Sequence, residues 1–470
     1  MFKNAFCTNS ICTPSRANII TGQYSQTNGV LDLHIPLKVE RQYLPIEMKK
    51  LGYQTAVIGK WHLKKIPENF DYYNILPGQG KYFDPVLTEI GETNDVDIPR
   101  YGGRIETIKG RKHKGHSSDV ITDLSLEWLK NKRDKSKPFL LLHHFKAPHA
   151  GFDSALRYDS YLENEFIPEP ASLYDNKNNG SIATKGVDNS LIDTIGSSVG
   201  RRHYKRRQIY KGNREAAKKM TDKEYKSTVY QNYLKRYLRC VKGVDDNIKR
   251  LLDYLEKTGE LDNTVVIYTG DQGFMLGEHD YIDKRWMYEE SLRMPFLVRY
   301  PKLIQAGSAS EAIVNNVDYA PTILDLAGGK TPEYMQGESF KYVLANKGKE
   351  PKGWKQSTYY RYWMHMYSHF NPAHFGIRTK RYKLIFFYGL HYNKKKKNND
   401  GLPKFQTPAA WEFYDLKNDP EELDNKYADP KYSKIIQKLK AELKEQRKQY
   451  NEEDQKYPHL QEVISTHWND

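Results

Sequence analysis

Short apolar runs of strand length alternate with stretches of helical periodicity along most of this chain, and that alternation leaves few folds open. Gln54-Thr55-Ala56-Val57-Ile58-Gly59 reads as a strand ending at a glycine, Phe139 to His144 as a second, buried strand after Pro138, and Asn263 to Tyr268 as a third. Between the first two, Asp119 to Lys130 places Ile121, Leu124 and Trp128 on one helical face. Residues 228–257 carry Tyr237, Val241, Val244, Ile248, Leu251 and Leu252 in a long helical pattern. This order predicts an α/β fold, a mixed or parallel sheet covered by helices. Residues 153–227 are polar and weakly periodic, and read as an insertion over that sheet. Beyond about residue 350 the texture changes. Arg381 to Tyr388 and Trp411 to Leu416 read as strands of an antiparallel sheet, and Ser433 to Tyr450 as a charged helix with Ile435, Ile436, Leu439 and Leu443 on its apolar face. The expected organisation is a large domain over residues 1–350 and a smaller α+β subdomain over 351–470.

A chain of 470 residues is long enough to bury a core in each part. Its formal charge of +15 suits a polyanionic partner, whether nucleic acid, acidic membrane or acidic polysaccharide. No nucleic-acid-binding module is recognisable, so the charge alone does not choose among them. Part of it lies in the run Lys394-Lys395-Lys396-Lys397, which reads as a solvated loop. Three cysteines, Cys7, Cys12 and Cys240, are not a disulfide framework. No apolar run is long enough to cross a membrane, and the opening residues Met1 to Cys7 show no apolar signal-peptide core.

The segment that carries chemistry is Cys12-Thr13-Pro14-Ser15-Arg16-Ala17-Asn18-Ile19-Ile20-Thr21-Gly22. Proline suits the first turn of a helix, so Cys12 sits at a helix entrance, where the helix dipole favours an incoming anion. Four further segments join it: Gly59-Lys60-Trp61-His62, Pro148-His149, Gly270-Asp271-Gln272-Gly273 and Asp283-Lys284-Arg285. Taken singly, each reads as an ordinary loop after a strand. Asp and Gln side chains offer the oxygen donors that hard cations want, at the carboxyl end of a strand where sites form in α/β sheets.

Together these segments resemble the formylglycine-dependent sulfatases of the alkaline-phosphatase-like superfamily, and the resemblance covers nearly the whole chain. It implies that a maturation enzyme oxidises Cys12 to formylglycine, whose hydrated aldehyde is the nucleophile. It further implies that Arg16 orients that group and touches the metal ligands, that Lys60 and Lys284 bind sulfate oxygens, and that His62 contacts the formylglycine hydroxyl. His149 would lie near the leaving oxygen, where it and Lys284 can deliver a proton. Asp271 and Gln272, with residue 12, would hold Ca²⁺. His279, His374 and Arg378 are candidates for the sugar beside the sulfate. The implied substrate is a sulfated poly- or oligosaccharide, with ulvan as the example. Phosphomonoester or phosphonate hydrolysis, and a non-catalytic glycan-binding remnant, are the alternatives.

The sequence departs from this family at its start. Relatives begin with a strand ending in two adjacent Asp residues that supply further metal ligands, whereas here 11 residues precede Cys12 and none is acidic. The expectation is a truncated chain in which Met1 stands at an internal position, the sheet lacks a strand, and metal affinity and activity fall. Family members are usually periplasmic or secreted; were Met1 a true start, the chain would stay in the cytoplasm.

Overall fold

The computed structural model describes residues 1–99, 104–174, 179–199, 219–367, 369–393, 406–451 and 454–470. The Lys394 to Lys397 run lies outside them. Along the chain come β1 (Phe2–Phe6), α1 (Cys12–Thr21), β2 (Gln54–Lys60), β3 (Tyr72–Leu76), β4 (Val86–Glu89), β5 (Arg111–Lys112), α2 (Ser117–Glu127) and β6 (Phe139–His144). They are followed by α3 (Asp222–Lys257), β7 (Val266–Thr269), β8 (Phe296–Arg299) and β9 (Ser310–Asn315).

Strands β2, β3 and β6 pair in parallel, and β4 and β5 extend their sheet antiparallel in the order β5-β4-β3-β2-β6. β1 runs parallel to β9, and β7 antiparallel to β8. The same two helices cover β6 and β7. Leu140 and Leu142 of β6 pack with Ala17 and Ile20 of α1, and Ile267 of β7 packs in the cluster that contains Ile19. On the other side Phe139 and Leu141 pack against the same cluster as Leu251 and Tyr254 of α3, and Tyr268 against the same cluster as Tyr237 and Ile248 of that helix. The two strands therefore lie in one layer, yet no ladder joins them among the described residues. All six residues of β6 are only half-buried, whereas the core of β2 is closed off from solvent.

The long helix α3 begins earlier than its periodicity suggests. Thr221 and Glu224 form a reciprocal capping box that satisfies the first backbone donors and fixes the start at Asp222.

The C-terminal part contains an antiparallel sheet in the order β10 (Ser357–Tyr362), β11 (His374–Thr379), β12 (Tyr382–Phe387) and β13 (Ala410–Asp415). One face, through Phe375, Leu384, Phe386 and Phe413, packs on Ile436, Leu439 and Leu443 of α4 (Ser433–Gln449). The other, through Tyr360, Ile385, Phe387 and Tyr414, packs on Trp286, Met287 and Tyr288, just after the Asp283-Lys284-Arg285 segment. Burial on both faces explains why these strands read as apolar runs. The molecule thus has the alkaline-phosphatase-like architecture: a mixed sheet flanked by helices, with a second sheet and its helix at the C-terminal end.

Candidate active site

Cys12 is the first residue of α1 and is 2% exposed. The helix enters from Ile11, which offers no side-chain cap, so its first N–H groups are left without one beside Cys12. Arg16 lies one turn on and ties three elements together. Its Nε donates to Asp271 Oδ2 at 2.7 Å, and one terminal nitrogen donates to the Lys60 carbonyl at 2.6 Å and lies 3.3 Å from His144 Nδ1. Ser15 donates to the Asp271 carbonyl and accepts from Asn316 Nδ2 at 2.8 Å. These bonds gather the carboxyl ends of β2, β6 and β7 around the entrance of α1.

Gly59 makes the approach possible. Its φ of +103° is one that side-chain-bearing residues rarely adopt, and a Cβ there would overlap the carbonyl oxygen of His144. Lys60 follows, 3% exposed, and His62 sets its Nδ1 3.2 Å from Thr13 Oγ1. His62, Asp283 and Arg285 all adopt positive φ, 59°, 76° and 91°, a clustering of backbone strain that marks functional sites. Asp283 is shared by Arg285, by Lys284 at 3.6 Å and by His369 Nδ1 at 3.0 Å.

The electrostatics follow from this crowding. Burial would push the Cys12 thiol up, but Lys60, His62 and Lys284 outweigh it and hold the thiol well below its usual range. Burial, with Arg16 and Lys284 nearby, pulls Lys60 down to about 7. His149 is kept well below the usual histidine range by burial and by Lys60, Lys284 and Lys146, so it is neutral. Asp271 stays ionised, its burial overcome by Arg16, Lys60 and Lys284. The result is a cationic cradle around one side chain at a helix N-terminus, a setting for a tetrahedral oxyanion.

Of the residues singled out in the sequence, Cys12, Arg16, Lys60, His62, His149, Asp271 and Lys284 converge here, with Gln272 next to Asp271 in the chain. His279, His374 and Arg378 lie elsewhere. His279 is fully buried, accepts from Asn179 Nδ2 at 2.6 Å and stacks on Tyr288. His374 is fully buried against Tyr360 and Phe387. Arg378 is committed to Glu289, with bonds of 3.1 and 3.0 Å to its two oxygens. Asp283, Arg285, His369, His144, Lys146 and Asn316 join the site or its support without having been singled out for it. Asp283 and Arg285 flank Lys284, and Lys146 lies three residues before His149, so adjacency was the available signal.

Gln272 Oε1 is buried with no hydrogen-bond partner, as a waiting metal donor would be, and Asp271 offers a carboxylate beside it. Ca²⁺ takes about six to eight oxygens. Among the described residues no cluster of three His, Cys, Asp or Glu groups is placed to hold a metal, so these residues do not make up a calcium shell.

Comparison with known proteins identifies the family of the chain. The family model described as Sulfatase matches residues 1–329, and that described as N-sulphoglucosamine sulphohydrolase, C-terminal, matches residues 277–449. The chain is 39% identical to an N-acetylglucosamine-6-O-sulfatase of Bacteroides thetaiotaomicron, over 96% of this chain and 80% of that protein. It is 26% identical to an ulvan-active sulfatase of Formosa agariphila, over 93% of this chain and 71% of the relative. Among solved structures, that of BT4656 in complex with its substrate D-glucosamine-2-N,6-O-disulfate superposes with a TM-score of 0.81 at 38% identity, covering 97% of this chain and 91% of the other.

Proposed function

The chain belongs to the sulfatase family of sulfate-ester hydrolases, and we propose that it removes the 6-O-sulfate of a glucosamine unit in a sulfated glycan. The observation that carries this reading is the convergence of Lys60, His62 and Lys284 on Cys12 at the entrance of α1, with Arg16 one turn on bonded to Asp271. The 39% identical relative, named for that activity, favours glucosamine over the ulvan sugars of the 26% identical one.

In this reading a maturation enzyme converts Cys12 to formylglycine, which supplies a hydroxyl nucleophile for the sulfur atom. Lys60 and Lys284 hold the sulfuryl oxygens and offset the charge that develops on them. His62, fixed by Thr13, lies within hydrogen-bonding reach of residue 12 and helps orient it. Lys284 stands beside neutral His149 to return a proton to the leaving alcohol. Calcium is the metal that the family resemblance suggests, with Asp271 and Gln272 as its donors in this chain. Because they fall short of its shell, no step is assigned to it.

The test is sulfate release from N-acetylglucosamine-6-sulfate, with ulvan oligosaccharide and a phosphate monoester as competing substrates. The chain is co-expressed with a formylglycine-generating enzyme, and conversion of Cys12 is read from peptide mass. The glucosamine ester should be turned over fastest, and Cys12→Ala should abolish release. Converted protein that leaves the glucosamine ester intact would refute the proposal.

A further inference from the structure

Most cations in this cluster are matched to carboxylates. Arg16 pairs with Asp271, Arg285 with Asp283, and Lys284 leans on Asp283. Two buried lysines are not: Lys60 and Lys146, 3% and 7% exposed, have no carboxylate within ion-pair distance among the described residues, and Asp153, which acts on Lys146 from farther off, is itself bonded to Arg236 at 2.9 Å. A buried ammonium without a counter-ion is costly unless a ligand supplies one. Lys60 faces residue 12 and accounts for the sulfate being cut. A sulfate monoester carries a single negative charge, so Lys146 is left over.

Its surroundings look built rather than incidental. Lys146 follows β6, and its carbonyl accepts the N–H of His149 at 3.1 Å, closing a tight turn. Tyr82 clamps that turn at both ends. Its hydroxyl donates to the His149 carbonyl at 2.6 Å, and its ring lies 4.6 Å from the Lys146 ammonium. The ammonium also donates to the Gln79 carbonyl at 3.1 Å. One carbonyl and one aromatic face leave it further N–H groups to give to a ligand. Lys284 stands over Phe274, which packs against the aromatic cluster containing Tyr82 and Phe152, so both lysines rise from one platform. Burial brings Lys146 down to about 8, so it remains largely charged near neutrality.

We propose that Lys146 is a specificity residue that holds a second oxyanion of the substrate, a sulfate or carboxylate beyond the sulfate ester being cut. This rests on the sulfated-sugar reading above. The experiment is calorimetric binding to the unconverted protein, so that it does not depend on turnover. Three probes are compared: N-acetylglucosamine-6-sulfate, D-glucosamine-2-N,6-O-disulfate, and a disaccharide joining a uronic acid to N-acetylglucosamine-6-sulfate. At least one doubly anionic probe should bind about ten- to a hundred-fold more tightly than the singly anionic one, the usual worth of a hydrogen bond between charged groups. Which probe gains identifies the second anion as sulfate or carboxylate. Lys146→Met should erase the difference and Lys146→Arg should keep it, with Lys146→Gln standing in if the Met variant does not fold. Equal binding of all three probes by the unaltered chain overturns the assignment, as does a neutral variant that weakens all three in parallel. A chain that binds none of them overturns the sulfated-sugar reading itself, and the assignment with it.

Discussion

Glu290 shows how tightly charge is packed just behind the site. Its Oε2 is buried without a hydrogen-bond partner among the described residues, and its backbone carbonyl accepts from Phe274 at 2.6 Å. Burial, reinforced by Glu422 and Glu278, raises its acid to about 8. A carboxyl whose folded pKa lies above the unfolded value of 4.5 gives stability that is whole below that value and is lost as pH climbs through about 8. Glu290→Gln should therefore raise the melting temperature at about pH 9 and change it little at about pH 5, read by thermal unfolding across that range. At this scale the sequence was legible where chemistry is local. Cys12, Pro14 and Arg16 are one helical turn, and Lys60 and His62 flank one strand end. It was silent where a partner is distant in the chain. Nothing near Asp283 announces His369, and nothing near Ser15 announces Asn316. His279, His374 and Arg378 sit in suggestive motifs, but Tyr288, Phe387 and Glu289 occupy them inside the core.

Elements were read most faithfully where a continuous apolar run or a clear helical period marks them. β6 spans the expected Phe139–His144, and β12 and α4 differ from expectation by a residue or so at their ends. The errors fall where a few polar contacts set the boundary. The strand expected from Asn263 starts only at Val266, because Leu261–Asn263 closes a short helical turn, and α3 starts at its capping box. β1 and β9 pair across more than 300 residues, a contact that no local pattern encodes. α4 earns its place through a narrow stripe. Leu443 is fully buried against the C-terminal sheet, so Leu443→Ala should cost about 2–5 kcal/mol by chemical denaturation, the range for a cavity-forming core truncation.

At the scale of the molecule, the two sheets are coupled through Trp286, Met287 and Tyr288, which run on from the Asp283-Lys284-Arg285 wall of the site into the face of the C-terminal sheet. Loosening that sheet should therefore be felt at Lys284. The open flanks of β6 and β7 carry a different consequence. Among the described residues no ladder joins them and each pairs on one edge alone, so the other edge offers its amide and carbonyl groups along Leu, Ile and Val backbones, a template on which an extended polypeptide could register. The described chain should thus be prone to stick to itself, and sedimentation velocity should show heavier species growing with concentration. A sharp monomer boundary at every loading would mean that something already shields those flanks.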